Sequence, residues 1–541
     1  MKLKDNYLLL LVLVCFAIFF VNLDAIYVNI MEARNFITAR EMVTMNHWIF
    51  TTINGEPRYE KPPLPTWLTA ISMMLFGMKS LFALRLPAAI MGSLLVVYLY
   101  KISLRLTAHR KFSFVAGLIG ATSFYILLSG RDGQWDIFTH AFMTMGIYLL
   151  LKTFQNEEHL YQNALGAGLF IGFSFLSKGP VSMYALLLPF LIAYGIVYRY
   201  RSFKKIWPAL LLVIIVTVIV SASWSLYVYF FDTHDVSRIT GREAGRWLDY
   251  NVRPFYYYWS FFVQSGIWTL PAFVALLYPY LKNRVFNKPA YKFALLWTLI
   301  SVILLSVIPE KKSRYLLPVL IPLAMNTAFY MEYLFRRFDM MPRKESWVVY
   351  FNFILIAVIG IAFPFAGIIY FKEKLGDIWP WFLMTSVCLL SIGIFILIFL
   401  KQKKIKPVFY LSVWFIISIV FFGLPMAGKI ETNPHYRSIR SVDAYIEKYS
   451  LPIFELKGFT PEIIWEFGKP IKVLWNGENY ELPEKNRFLL LATEEQEKEI
   501  SEIFRNYIAK KIDEIDMNPV GNTHKERLFR ELYLIQKTNK K

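Results

Sequence analysis

Residues 32–67 read EARNFITAREMVTMNHWIFTTINGEPRYEKPPLPTW, a polar stretch set between two apolar runs. An Arg, Lys or Asp at the centre of a membrane helix costs about 2.5–3.5 kcal/mol. The charges here, among them Glu32, Arg34, Glu56, Arg58, Glu60 and Lys61, therefore belong at or outside a membrane surface. Pro57, Pro62, Pro63 and Pro65 fix φ and remove backbone donors, so the second half of the stretch is a stiff strip able to hold charges around a ligand. In the first half Glu32, Phe36, Ala39 and Val43 recur at helical spacing. That predicts a short amphipathic helix lying on the membrane surface, with Glu32 at its positive N-terminal end.

Outward from this loop, the composition fixes the class. With 56% hydrophobic and only 18% charged residues in a chain of 541, the apolar share exceeds the roughly 45–50% typical of a soluble globule. Apolar runs near the spanning length begin at about Tyr7, Leu81, Phe112, Ile137, Ala164, Pro180, Trp207, Tyr258, Tyr291, Tyr315, Trp347, Ile378 and Pro407. They predict a polytopic α-helical membrane protein of about 13 transmembrane helices. The runs at Phe112 and Ala164 are short enough to be half-buried hairpins instead. The first run follows Lys2 and Lys4 as a signal peptide would, but FFVNLDAI lacks a small-x-small cleavage site, which favours an uncleaved anchor.

The net charge of +20 follows loop parity. Clusters such as Arg105, Arg110 and Lys111, or Lys401, Lys403, Lys404 and Lys406, fall in alternate loops, as expected for cytoplasmic loops of an inner-membrane protein. The basic excess thus needs no nucleic acid. The loop at 24–80, the Asp132 to Asp136 segment, Lys178, the loop 233–254 and residues 309–315 then share the extracytoplasmic face. From residue 425 to 541 no spanning run remains, and apolar strand-like runs alternate with charged helical patterns. This predicts a membrane domain over 1–424 and a small extracytoplasmic α/β domain over 425–541, in which no catalytic constellation is visible.

Cys15 and Cys388 both lie in apolar runs, and the seven histidines show no metal-ligand spacing. There is no GxxxxGK[ST] loop, GxGxxG turn or DxD pair, so nothing points to an ATPase or a nucleotide-sugar enzyme. The loop charges are more telling. In RYEKPPLPTW, Glu60 has no use in a plain interfacial anchor, which needs only the Arg, Lys, Tyr and Trp around it. Lys178 stands between two apolar runs and either snorkels to the surface or pairs with an anion. Asp132 and Asp136 read as ordinary loop carboxylates or as site residues, and Glu32 as a helix cap or an acid–base group. Lys311, Lys312 and Arg314 concentrate positive charge on the face where the positive-inside rule expects little, and a bound phosphate is the simplest reason.

Taken in order, MEARNFITAREM (31–42), RYEKPP (58–63), Asp136, SKG with Lys178, and KKSRYLLP (311–318) resemble the lipid-linked-sugar transferases of the GT-C class. Within that class the resemblance is to the bacterial lipid A aminoarabinose transferases and their protein-O-mannosyltransferase-like relatives. It covers most of the membrane region. It implies a glycosyltransferase that uses a polyprenyl-phosphate sugar donor and a lipid A, glycan or protein acceptor and needs no nucleotide. It also implies that Arg34 and Lys61 contact the donor phosphate, that Tyr315 with Arg314 helps to hold it, and that Glu60 shapes the pocket or a metal site. Arg58, Lys178, Lys311 and Lys312 complete the candidate phosphate ligands, and Tyr59 lines the pocket beside Glu60.

The family's usual Asp before the Glu of the surface helix is replaced by Met31, which cannot take a proton. Glu32 and then Asp136 are the candidate catalytic carboxylates. The histidine that some members place before a late span has no match; Glu243 in EAGRW stands nearest. No cofactor is assigned, and a divalent cation is left open. The expected reaction is attack of an acceptor oxygen on the anomeric carbon with inversion as polyprenyl phosphate leaves. Cations stabilise the departing phosphate and a carboxylate serves the acceptor. A polyprenyl-phosphate-sugar flippase or a non-catalytic scaffold would also use many spans and a basic site, but no inverted repeat is visible.

Overall fold

The computed structural model of the chain describes residues 6–155, 158–200, 203–249, 251–372, 374–430, 432–521 and 524–538. It divides into two compact units. One contains Met1–Asp24 and Arg58–Met426, the other Ala25–Pro57 and Ala427–Lys541. The sequence assigned residues 25–57 to the membrane domain; they cluster instead with the C-terminal residues.

The first unit is helical. Seven of its described helices are long and apolar enough to cross a membrane: Leu81–Thr107, Asp136–Phe154, Phe203–Phe231, Lys288–Val307, Arg343–Tyr370, Leu375–Lys401 and Ile405–Ile430. Tyr7–Phe19, Leu64–Phe76 and Met183–Tyr198 are shorter apolar helices. The chain is a multi-pass membrane protein; the sequence expectation is about 13 apolar runs near spanning length, and seven of them fall on these described helices. Two differences have clear causes. The run at Tyr258 is broken into 3₁₀ turns at Phe255–Tyr258 and Phe261–Trp268, the second kinked at Gly266 with φ +68°, and a short helix Thr269–Ala275. The expected loop at 233–254 is mostly the helix Thr233–Asp249. The short runs at Phe112 and Ala164 are single helices, Arg110–Thr122 and Leu160–Lys178, rather than hairpins.

Glycine sets the closest helix contacts around the site. A Cβ at Gly146 would lie 2.8 Å from the Ile171 side chain, and Cβ atoms at Gly168 and Gly172 would lie 2.8 and 2.6 Å from Val216 and Val220. Gly146 thus lets Asp136–Phe154 pack against Leu160–Lys178, and Gly168 and Gly172 let Leu160–Lys178 pack against Phe203–Phe231. On the outward faces Ile219, Phe230 and Ile369 stay exposed, as suits lipid contact.

The second unit is α/β. Its five-stranded sheet runs in the order Lys472–Val473, Ile453–Glu455, Arg487–Ala492, Phe529–Lys537, Tyr507–Asp516. The first three strands are parallel and the last two join antiparallel. Along Arg487–Ala492, Leu489 and Leu491 enter one core with Ile37, Ile463 and Leu532, while Phe488 and Leu490 enter another with Leu456, Leu474 and Ile535. Strand alternation therefore feeds two apolar layers.

The helix expected on the membrane surface is Ile30–Met45, and it belongs to this unit. Residues 35–42 are all buried. The amphipathic surface assignment is thus corrected: a helix buried on every side is a core element. Arg40 donates to the carbonyls of Trp465 and Ile464 at 3.1 Å each, and Phe36 meets Trp465 edge-on at 5.4 Å between ring centroids. Beyond it Asn54 and Gly55, with φ of +58° and +81°, turn a two-residue hairpin between Thr52–Ile53 and Glu56–Pro57. Asn-Gly supplies the left-handed φ that such a turn requires. The Glu41 carboxylate accepts from Thr52 Oγ1 at 2.5 Å and from the Gly55 N–H at 3.3 Å, and the Asn54 amide exchanges two 2.8 Å hydrogen bonds with the backbone of Ile471.

Candidate active site

In the first unit, the packed helices Asp136–Phe154 and Leu160–Lys178 bring the start of one to the end of the other. Gly179, with φ +75°, ends the second helix immediately after Lys178, which is why the SKG triplet fixes that lysine at a helix terminus. Asp136 lies in the first turn of its own helix. An anion at an N-terminus and a cation at a C-terminus both suit the helix dipoles. The two side chains form an ion pair, 5% and 8% exposed. Such burial is costly for a charge alone, so each requires the other.

Residues 309–315 complete the cluster. The Lys178 ammonium lies 5.1 Å from the centre of the Tyr315 ring, with Lys312 at 5.6 Å and the Arg314 guanidinium at 5.9 Å. Three cations thus surround one aromatic ring within cation–π range. Glu310 accepts from Lys312 at 2.5 Å and from the Tyr315 hydroxyl at 3.2 Å. Tyr258 fixes the loop, donating to the Lys312 carbonyl at 3.1 Å and accepting from its N–H at 3.0 Å. Lys311 turns away: its ammonium donates to the carbonyls of Arg253 at 3.0 Å and Ile308 at 2.6 Å, and burial lowers its pKa. Those carbonyls give it a loop-holding role that the count of basic residues could not distinguish from its neighbours'.

The loop that enters at Arg58 packs on the same end. The Arg58 guanidinium lies 4.8 Å from the centre of the Trp135 ring, next to Asp136. Tyr59 donates to Asp232 at 2.6 Å and meets Trp224 edge-on at 6.2 Å; burial, then the Asp232 carboxylate, raises its pKa. Glu60 and Lys61 are half-buried, and Glu60 Oε2 has no hydrogen-bond partner among the described residues. Arg131 anchors the turn before Asp136 through the carbonyls of Ile18, Val21 and Asn22 at 2.6, 2.7 and 2.8 Å.

Glu32 and Arg34 belong to the second unit. Glu32 is 1% exposed, and its carboxylate accepts from Asn29 N at 3.3 Å and Asn29 Nδ2 at 3.1 Å, closing a capping box. Arg34 is exposed. Glu243 falls in the helix Thr233–Asp249, in the part whose side chains lie outside the described residues. Among the described residues no group of three or more His, Cys, Asp or Glu side chains converges as a metal site, and Glu60 belongs to none. Gln134, Asp232, Tyr258 and Glu310 were not singled out from the sequence. Glu310 stood inside the basic motif, where attention to its cations hid its anion.

The chain is similar to several known proteins. Residues 60–224 match the model of a family described as dolichyl-phosphate-mannose-protein mannosyltransferase. An undecaprenyl phosphate-α-4-amino-4-deoxy-L-arabinose arabinosyl transferase of Proteus mirabilis is 26% identical over 346 residues, 61% of this chain and 60% of the relative. A similarly named enzyme of Yersinia enterocolitica is 26% identical over 55% of this chain and 54% of its own length. The chain therefore spans somewhat more than half the length of these relatives. The structure of ArnT from Cupriavidus metallidurans bound to undecaprenyl phosphate superposes with a TM-score of 0.68 over 98% of both chains at 15% identity. At that identity the match establishes the fold. The fold is that of the GT-C lipid-linked-sugar transferases, which the chain also resembles in sequence.

Proposed function

We propose that the chain is an integral-membrane glycosyltransferase that moves a sugar from a polyprenyl-phosphate donor to an acceptor outside the cytoplasmic membrane. The observation that carries this reading is the Asp136–Lys178 pair set against Tyr315, Lys312 and Arg314 at the end of packed membrane helices. A phosphate on a lipid tail is held at such a depth, and its recognition calls for Lys, Arg and a hydroxyl. The relatives named as undecaprenyl phosphate-aminoarabinose arabinosyl transferases support the same donor class. Arg58 and Lys61 add charge to the entering loop, and Glu60 lines it.

In this reading the acceptor oxygen attacks the anomeric carbon, the bond to phosphate breaks, and the electron pair leaves with polyprenyl phosphate. Inversion follows from the direct displacement. Lys178, Lys312 and Arg314 stabilise the charge that grows on the leaving phosphate. Asp136 takes the carboxylate role, because Glu32 is engaged by its own helix terminus. Its pairing with Lys178 orients it, so it can direct an acceptor hydroxyl or take its proton. A phosphate acceptor, already ionised, would need only the orientation.

The parity of the basic loops supports a second unit outside the cytoplasmic membrane. A cysteine at exposed Asn476 should then react with an impermeant thiol reagent added from outside, while one at exposed Lys403 should not. The function is tested by supplying purified chain with radiolabelled polyprenyl-phosphate sugars and a panel of lipid A, glycan and protein acceptors. Label should move to one acceptor class and release polyprenyl phosphate. Movement of intact donor across a vesicle bilayer without transfer would identify a flippase instead.

A further inference from the structure

Arg314 differs from the two lysines that share Tyr315 with it. Lys178 is paired with the carboxylate of Asp136 and Lys312 with that of Glu310. Arg314 Nη1 donates instead to the carboxamide oxygen of Gln134 at 3.4 Å, and its buried Nε has no hydrogen-bond partner among the described residues. The other end of that carboxamide donates to Asp132.

The chemistry of the chain Asp132–Gln134–Arg314 fixes which way the amide faces. A carboxylate only accepts, and a guanidinium only donates. The amide nitrogen must therefore face Asp132 and its oxygen Arg314; the flipped amide would set acceptor against acceptor and donor against donor. An amide oxygen orients the guanidinium but carries no net charge. Arg314 is thus aimed by a polar contact and left electrically uncompensated by it, with a buried N–H still to satisfy. A buried donor without a partner is costly, and an incoming anion supplies the missing acceptor.

We propose that Gln134 is a positioning residue for the transfer reaction, holding Arg314 in line for the donor phosphate without neutralising it. This rests on the reading that Arg314 meets that phosphate. It assigns a role to the GQW segment, two residues ahead of Asp136, where neither charge nor an expected motif marks one.

The test titrates the full-length purified chain in detergent with undecaprenyl phosphate. Gln134→Glu puts a carboxylate beside Arg314, and Gln134→Met keeps the length but loses the acceptor. Arg314→Ala and the double variant Gln134→Met/Arg314→Ala complete a cycle, with thermal unfolding as a check on each. Gln134→Glu should weaken binding by about tenfold or more and Gln134→Met by about threefold, the scale of a lost or neutralised charged hydrogen bond. In the Arg314→Ala background Gln134→Met should add nothing beyond about twofold, the scatter expected of uncoupled sites. If Gln134→Met binds as the wild type does, or loses the same factor with Arg314 already gone, the positioning role is refuted. If Arg314→Ala itself binds normally, the phosphate reading fails, and the role of Gln134 with it. A folding defect in one Gln134 variant leaves the other to decide, since the two differ in charge and not in length.

Discussion

Two carboxylates stand at the starts of two helices and do different work. Glu32, in the first turn of Ile30–Met45, accepts hydrogen bonds from Asn29 and closes the end of its own helix. Asp136, in the first turn of Asp136–Phe154, reaches a lysine at the end of another helix. Both are buried acids near a positive helix terminus, and the dipole favours both. What separates them is the partner. The contacts of Glu32 close its own helix end, whereas Asp136 bridges two helices beside an aromatic ring ringed by cations, and the proposed function gives it the carboxylate role for that reason.

The largest effects are expected where the bridging acid is broken. Lys178→Ala leaves Asp136 buried without its cation, and loss of one partner of such a pair costs about 3–5 kcal/mol. The variant should unfold at markedly lower temperature and show no transfer. Arg314→Ala comes next. Removing a preorganised contact to developing charge lowers turnover by about 10²–10³-fold, and thermal unfolding should move little, since Arg314 is not part of a carboxylate pair. A normal rate for Arg314→Ala would place the phosphate elsewhere. Tyr59→Phe, which loses only the hydroxyl contact to Asp232, should shift stability by about 1 kcal/mol. Any effect on rate should be small compared with that of Arg314→Ala. Glu32→Gln is expected to be mildest, with a cap loss of about 0.5–2 kcal/mol seen in thermal unfolding and turnover near that of the wild type.

The membrane class and the ordered motifs could be read from the sequence because hydropathy and charge placement are one-dimensional signals. The SKG lysine and the KKSRY cations converge on Tyr315, and these were visible as charges where charge is costly. The difference between Lys311 and Lys312 was not. Adjacent lysines have the same spacing signal, and only the fold decides that one turns to carbonyls of its own loop and the other to Glu310. The burial of Ile30–Met45 was also hidden. Its apolar spacing fits a surface helix, and its polar residues Asn35, Thr38, Arg40 and Glu41 find their burial inside a unit assembled from residues hundreds of positions away. The hairpin after it carries a turn signal in Asn54-Gly55, which the reading of the prolines alone did not use. Run length alone does not register the kink at Gly266, so the break in the apolar run at Tyr258 was not visible in the sequence.

The most direct test compares Asp136→Asn with Glu32→Gln in one transfer assay, using a radiolabelled polyprenyl-phosphate sugar and the acceptor that the wild type accepts. Each change removes a charge and keeps the shape, so folding is preserved better than by truncation. The account predicts that Asp136→Asn is inactive within detection while Glu32→Gln retains turnover within about threefold, a rate change of under 1 kcal/mol. Loss of activity in Glu32→Gln with Asp136→Asn still active would contradict it, and would return the carboxylate role to the helix that carries Met31.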